Sequence, residues 1–416
     1  MMKPHVLLLT PSPPYPFDGG CKRIHTLCQL LGQRFRFSLA TFPPRDIPRD
    51  AHQTAQELLW EHHYLRPVFE RIHWLTLPPE PRAVRVDRLA LPDDVARFFD
   101  PQTAQRVAEI VAEERPDLVH AEFDLTALYA RQLAGVPRIW TQHDAGSISF
   151  FGSYFREMVG WRKFLQIGQW RRRVAFVRQA GTWFDRVVVM TPTDHHRLSK
   201  VIAAHKIQVV PTGVDTTHFR PAPEPPAGAA PTLLYVGHYP HYPNEDAVVF
   251  FCRKIWPAIL KARPQARFFA VGSSPTNAVL SLARDIPGVT VTGTVPDVKP
   301  YLEQATVFVA PVRLGEGIKG KILEALASGL PVVATRRSLR GLELTPGRDV
   351  LAADSPALFA AQVLRLLDSA SLRRELGARG VELARRRYDW SQLAPRLGAV
   401  YDEVLARSPQ EKADVV

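Results

Sequence analysis

Short aliphatic runs alternate with amphipathic stretches along the chain, and the alternation is interrupted by one run of prolines. In the first half the pattern predicts strands over 5–10, 35–42, 118–121, 138–142, 187–191 and 207–210, and helices over 21–31, 103–114, 125–134 and 193–203. In the second half it predicts strands over 233–236, 267–271, 289–292, 307–310, 332–334 and 349–351. Helices are expected there over 246–262, 279–284, 298–304, 321–327, 356–369 and 372–386. Strands that alternate with helices argue for parallel sheets built from βαβ crossovers. Residues 43–100 break the pattern with proline and charge, and read as an irregular or helical insertion. The stretch RPAPEPPAGAAP, 220–231, reads as a semi-rigid linker that divides the chain into an α/β domain over 1–219 and a second over 232–389.

A chain of 416 residues is long enough for two domains with well-buried cores. With no run of 18 apolar residues, no transmembrane helix is expected. The apolar start meets prolines at once, so it reads as a first buried strand and not as a signal peptide. Cys21, Cys28 and Cys252 are too few and wrongly spaced for a disulfide or zinc framework, which points to the cytoplasm. The net charge of +12 is shared about equally by the two halves, with no nucleic-acid-binding signature. No metal or other cofactor is expected.

The chemistry concentrates after the predicted strands. LGEGIKGKILEALASGLPVVAT, 314–335, places Glu316 and Glu324 eight positions apart, with glycines and two lysines around the start of a helix. Glycines let backbone N–H groups approach a ligand, and a helix N-terminus attracts anions. Lys319 and Lys321 add charge against phosphate, and Glu324 suits ribose hydroxyls. The reading is a diphosphate-and-ribose site, against a plain capped helix with solvated lysines. Asp18-Gly19-Gly20 follows the first strand and allows a similar backbone approach, or a simple turn. His143 and Asp144 lie just past the strand RIWTQ, where functional residues of parallel sheets gather; a structural histidine is the alternative. Gly237 and His238 follow the first strand of the second half, and Asn244 there suits a helix cap. Residues 150–184 mix aromatics with Arg156, Arg162, Lys163, Arg171, Arg172, Arg173 and Arg178. Such a segment suits an anionic membrane, or a helix pair packed on the first domain with solvated arginines.

These pieces, together with PSPPYPFDGGCKR, IWTQHD, VVPTGVDTTHF, LLYVGHYPHYPNEDA and YDWSQLAPRLGAVYDEVL, occur in the order found in glycosyltransferase family 4, which the chain resembles over nearly its whole length. The resemblance implies the GT-B fold: two Rossmann-like domains with parallel sheets facing across a cleft, and a C-terminal helix, about 390–408, that returns to the first domain. It implies a retaining transfer from a nucleotide-diphosphate sugar to a glycan, lipid-linked or small-molecule acceptor, as in glycan, polysaccharide or glycolipid assembly. Asp18, Lys22, Arg23 and Asp144 would lie on the acceptor side, with Gly19 and Gly20 near the donor phosphates and His143 against the transferred sugar. Gly237, His238, Asn244, Gly317, Ile318, Lys319, Gly320, Lys321 and Ile322 would surround the donor. Glu324 would hold the ribose and Glu316 the sugar hydroxyls. The backbone of Thr294 and Val295 would meet the base.

One departure matters. Related enzymes carry an Arg and a Lys in the loop after Gly237, and this chain has HYPHYPNEDA, so Lys319 and Lys321 are the candidates to neutralise the phosphates. The few cysteines place the chain in the cytoplasm, and the basic-aromatic residues 150–184 leave a peripheral contact with an anionic membrane at its inner face as the alternative to a solvated helix pair. A nucleotide-sugar epimerase on the same fold and a catalytically silent sugar- or membrane-binding scaffold are the rival readings; product analysis with and without acceptor, and nucleotide binding, separate them.

Overall fold

A computed structural model describes residues 2–16, 19–43, 51–76, 85–86, 89–133, 135–143, 145, 162–223, 228–315 and 318–406. By their contacts they form two compact units, Met1–Pro211 with Leu393–Val416, and Thr212–Gln392. The chain first crosses between units at Pro211–Thr212, upstream of the proline-rich stretch. Pro221 belongs to the second unit, where it packs on Gly329.

The first unit holds strands β1 (His5–Thr10), β2 (Arg36–Thr41), β3 (Arg71–Trp74), β4 (Leu118–Glu122), β5 (Arg138–Thr141), β6 (Arg186–Val189) and β7 (Ile207–Val209). They form one parallel sheet in the order β3-β2-β1-β4-β5-β6-β7. β1 and β4 are buried at every position, because helices cover both faces of a parallel sheet. The expected irregular insertion contains β3, a short edge strand. It escaped the sequence pattern because none of RIHW is buried and only Ile72 is aliphatic.

The second unit holds β8 (Thr232–Val236), β9 (Arg267–Val271), β10 (Val289–Gly293), β11 (Val307–Ala310), β12 (Val332–Ala334) and β13 (Leu351–Ala352). Their parallel order is β10-β9-β8-β11-β12-β13. The helix expected over 246–262 is three pieces, Tyr242–Phe250, a π-turn Phe251–Ile255 and Trp256–Ala262. Pro257 explains the break. It has no N–H to give and its ring crowds the carbonyl four residues back, so the ladder shifts to i→i+5 bonds.

Five helices carry or border the polar clusters of the two units: α1 (Gly19–Leu31), α2 (Arg162–Trp183), α3 (Tyr242–Phe250), α4 (Gly320–Ala327) and α5 (Trp390–Leu405). α5 begins in the second unit and ends in the first. There Tyr401 bonds His120 Nδ1 at 2.7 Å, Glu403 pairs with Arg186, and Asp402 pairs with Arg34.

In each sheet the chain builds outward from one strand, then returns to its other side. The reversals fall between β1 and β4 and between β8 and β11. At such a switch point the connections beyond the strand ends leave in opposite directions and open a crevice. In the second unit the backbone beyond β9 comes very close to that beyond β8. Gly272, at φ +152°, lies so close to Gly237 that a Cβ there would sit 1.7 Å from the Gly237 carbonyl oxygen. Since the obstacle is backbone, no rotamer relieves it. We expect Gly272→Ala to cost roughly 3 kcal/mol or more in urea unfolding. Gly168→Ala, in open space within α2, should instead gain up to ~1 kcal/mol. Equal stabilities for the two variants would disprove this close approach.

Candidate active site

The second unit gathers its polar groups at the carboxyl ends of β8 and β11. The β8 strand ends on Val236, and Gly237 leads into the turn that starts α3. Beyond β11, Gly315 takes φ +80°, and a Cβ there would touch the Pro243 ring at 3.3 Å. The chain then enters α4 at Gly320, where the space around a Cβ is open. Two helix N-termini, those of α3 and α4, therefore border one crevice, and both favour an anion.

Lys321 is the centre of this arrangement. Its ammonium donates to Asn244 Oδ1 at 2.8 Å and to the Tyr235 hydroxyl at 3.1 Å, and lies 4.4 Å from the Tyr235 ring centroid. Asn244 completes the brace by accepting from Tyr235 at 3.0 Å and donating to the His238 carbonyl at 2.8 Å. The amide thus neither caps α3 nor points away from the protein; it holds the lysine. Burial pushes Lys321 down to about 7, Lys319 adds to that, and Glu324 opposes it. His241 is likewise lowered by burial, then by Lys319, Lys321 and His238. Four basic side chains thus share one field. His238 itself is exposed, with Nδ1 2.8 Å from Ser273 Oγ.

The remaining expected donor residues are dispersed. Lys319 precedes α4, Ile318 packs against the core, and Glu324 is partly buried one turn into α4. Gly293 closes β10 at φ +73°, with Thr294 exposed and Val295 packed on the core. Ile322 is a correction: its side chain is fully buried and its N–H bonds the Lys319 carbonyl at 2.9 Å, so it has nothing to offer a ligand. Glu316 and Gly317 lie outside the described residues.

In the first unit, the matching switch point holds the start of α1 and the ends of β4 and β5. Gly19 opens α1 in free space, and Gly20 and Lys22 are partly buried beside it. Arg23 is the second correction. It is 1% exposed and donates from Nη2 to the Val210 carbonyl at 3.0 Å, so it cannot reach an acceptor. Helical periodicity turns it inward beside Ile24, Leu27 and Cys28. His143 lies just past β5; its Nε2 is 2.6 Å from Glu122 Oε2, and its ring stacks on Phe123 at 3.7 Å between centroids. Asp18 and Asp144 lie outside the described residues.

Glu122, Phe123, Tyr235 and Gly272 belong to these sites and were not anticipated. An acid closing the aliphatic run LVHAE and a glycine closing RFFAV were visible signals. Tyr235 stands inside a strand and carries no such mark. Among the described residues no group of three His, Cys, Asp or Glu is placed to hold a metal ion. None of their helices is long and apolar enough to cross a membrane.

The basic segment also reads differently in three dimensions. In α2, Phe176, Val177 and Ala180 are core, Arg172 pairs with Asp93 at 3.0 Å, and Arg173 bridges Asp94 and Asp124 at 2.5 and 2.8 Å. Arg172, 31% exposed, and Arg173, 15% exposed, are thus both paired with acids from helical neighbours. Arg171 and Arg178 are exposed, and 150–161 lies outside the described residues.

Two parallel α/β units, with a basic, glycine-lined crevice in the second, define a glycosyltransferase of the GT-B type. Residues 18–218 match the model of "Glycosyltransferase Family 4" and residues 230–369 that of "Glycosyl transferases group 1", and the chain belongs to this family. The phosphatidyl-myo-inositol mannosyltransferase of Mycobacterium leprae is 32% identical over 207 residues, which span 47% of this chain and 53% of that protein. The D-inositol 3-phosphate glycosyltransferase of Acidothermus cellulolyticus is 27% identical over 315 residues, 70% of this chain and 68% of that protein. Among solved structures, sucrose-phosphate synthase from Thermosynechococcus elongatus matches with a TM-score of 0.70 at 18% identity, covering 98% of this chain and 100% of that one. Anabaena HepE in complex with UDP and glucose matches with a TM-score of 0.66 at 13% identity, covering 96% and 99%. Likeness at such identities establishes the fold.

The Lys321 environment makes a prediction about pH. A bound diphosphate brings negative charge to an amine that titrates near 7, raises its pKa and draws in a proton. From pH 7 upward, affinity for a nucleoside diphosphate should fall by as much as ~10-fold per unit. Calorimetry at pH 8 in two buffers of different ionisation enthalpy should show proton uptake. A pH-independent dissociation constant would place the ammonium away from the phosphates.

Proposed function

We propose that the protein is a retaining glycosyltransferase that moves a hexose from a nucleotide-diphosphate sugar to an acceptor hydroxyl in glycan, polysaccharide or glycolipid assembly. The observation that carries this reading is the Lys321–Asn244–Tyr235 brace at the mouth of two helix N-termini. Departure of a nucleoside diphosphate needs its growing negative charge stabilised, and preorganised N–H dipoles with a fixed lysine do this without reorganisation. Lys321 takes the part that the Arg–Lys pair plays in related enzymes. Glu324, a turn into the same helix, holds the ribose. The two inositol-directed relatives favour an acceptor built on a polyol phosphate, free or lipid-linked. A lipid-linked acceptor would call for a peripheral location at the cytoplasmic face of the membrane.

A thermal-shift panel of UDP, GDP, dTDP and ADP tests donor class, because a ligand that binds only the folded state raises its stability by mass action. No shift with any of them would sink the reading. We expect Lys321→Ala to fold and to lose about 10²-fold in turnover, a usual loss for one stabiliser of developing charge. Lys319→Ala should lose less, since it stands before the helix. Wild-type turnover in Lys321→Ala would remove the lysine from the chemistry.

Glu324→Ala should weaken nucleotide and nucleoside binding alike, by about 1–3 kcal/mol, because the lost contact is to ribose. Calorimetry with the nucleotide that the panel selects measures it. An unchanged constant would leave Glu324 a purely helical residue.

A further inference from the structure

The first unit contains a polar cluster that the transfer reaction does not by itself explain. Glu122 closes β4 with its carboxylate only 2% exposed. One oxygen meets His143 Nε2 at 2.6 Å, and the other lies 3.5 Å from His120 Nε2. Burial pushes Glu122 up, and the His143 bond and the positive field of its neighbours, Arg23 among them, outweigh it, so the carboxylate is held below its ordinary range. Burial brings His120 itself down to about 4, so it is neutral at pH 7 and serves as a hydrogen-bonding post between Thr141 and Tyr401. The standing positive charge is therefore Arg23, whose Nε and Nη1 find no hydrogen-bond partner among the described residues. A buried guanidinium without full hydrogen bonding is costly, and Glu122 is its counter-charge.

The next residue is strained. Phe123 takes φ +68°, a conformation that side chains other than glycine's rarely adopt. Its carbonyl is held by Trp140 Nε1 at 3.2 Å, and the Glu122 carbonyl by the Thr126 hydroxyl at 2.6 Å. The strain puts the phenyl ring flat on the His143 imidazole, 3.7 Å away with 12° between planes. Strain of this kind persists where the surroundings enforce it, often at functional sites.

We propose that Glu122 and Phe123 are positioning residues for His143. The carboxylate fixes one ring nitrogen and hence the tautomer, and the phenyl fixes the ring plane. Arg23 keeps the buried carboxylate charged. The proposal rests on the reading that His143 addresses the transferred sugar.

Two charge-balanced double variants separate positioning from stability. Arg23→Met with Glu122→Gln keeps an oxygen that accepts from His143 Nε2; Arg23→Met with Glu122→Leu removes it. Turnover of UDP-glucose and of GDP-mannose is followed, with imidazole ¹⁵N chemical shifts of His143 as a readout that needs no turnover. The Leu variant should lose ~10-fold or more in kcat with KM for donor unchanged, and should lose the single Nε2–H tautomer. The Gln variant should restore both. Should the Leu variant fail to fold, Phe123→Gly carries the test: glycine suits φ +68°, so the protein stays folded while kcat falls. Equal kcat and equal tautomer signals in the Gln and Leu variants, or an unaltered Phe123→Gly, would overturn the proposal. His143→Ala tells the two levels apart. If it alone lowers kcat, only the clamp is wrong; if it too is silent, the reading of His143 fails with it.

Discussion

Parallel strands cannot be joined by a hairpin; each needs a crossover, and the direction of the crossovers decides where a crevice opens. In both sheets of this protein the chain leaves a central strand, β1 or β8, builds one side, and returns to build the other. The candidate site residues gather at those two reversals. Gly19 lies beyond β1 and Glu122 closes β4 at the first, and Gly237 and the entry to α4 lie beyond the strands that flank the second. The close approach of Gly237 and Gly272 lets the β8 and β9 turns pass each other without side chains in the way.

The two sites use buried charge in opposite ways. In the second unit Lys321 is held where burial and a neighbouring lysine disfavour its proton. An anion bound beside it would relieve that penalty, because a nearby negative charge favours the protonated amine. In the first unit the charges are already matched. Arg23 and Glu122 compensate each other inside the protein, and the gain is rigidity: removing either one alone would leave an unpaired buried charge, which typically costs several kcal/mol. A titrating lysine suits a group that must respond to a ligand, and a matched pair suits one that must not move.

The errors of a sequence reading fall where a side chain's direction depends on packing. Arg23 follows two glycines and a lysine and reads as a cation at a ligand loop, yet helical phase turns it onto the core. Ile322 lies among donor-loop residues, but it is the first inward position of α4. Asn244 has the composition of a cap, and its amide is claimed by Lys321 and Tyr235 instead. Arg172 and Arg173 look like a basic surface until Asp93, Asp94 and Asp124, some 50 to 80 positions earlier, come to meet them.

Much was legible from residues alone. The aliphatic runs located β1, β9, β11 and β12 to the residue, since strands covered on both faces are largely apolar. The glycines and lysines before α4 marked the stretch where Lys319 and Lys321 share one field with His238 and His241. Tertiary structure alone decided the partners. Tyr235 and Asn244 reach Lys321 from 86 and 77 positions away, and Tyr401 reaches His120 from 281. Such pairings follow from strand order and helix docking. A lysine's pKa, an arginine's burial and a histidine's orientation depend on those neighbours, so no local pattern could state them.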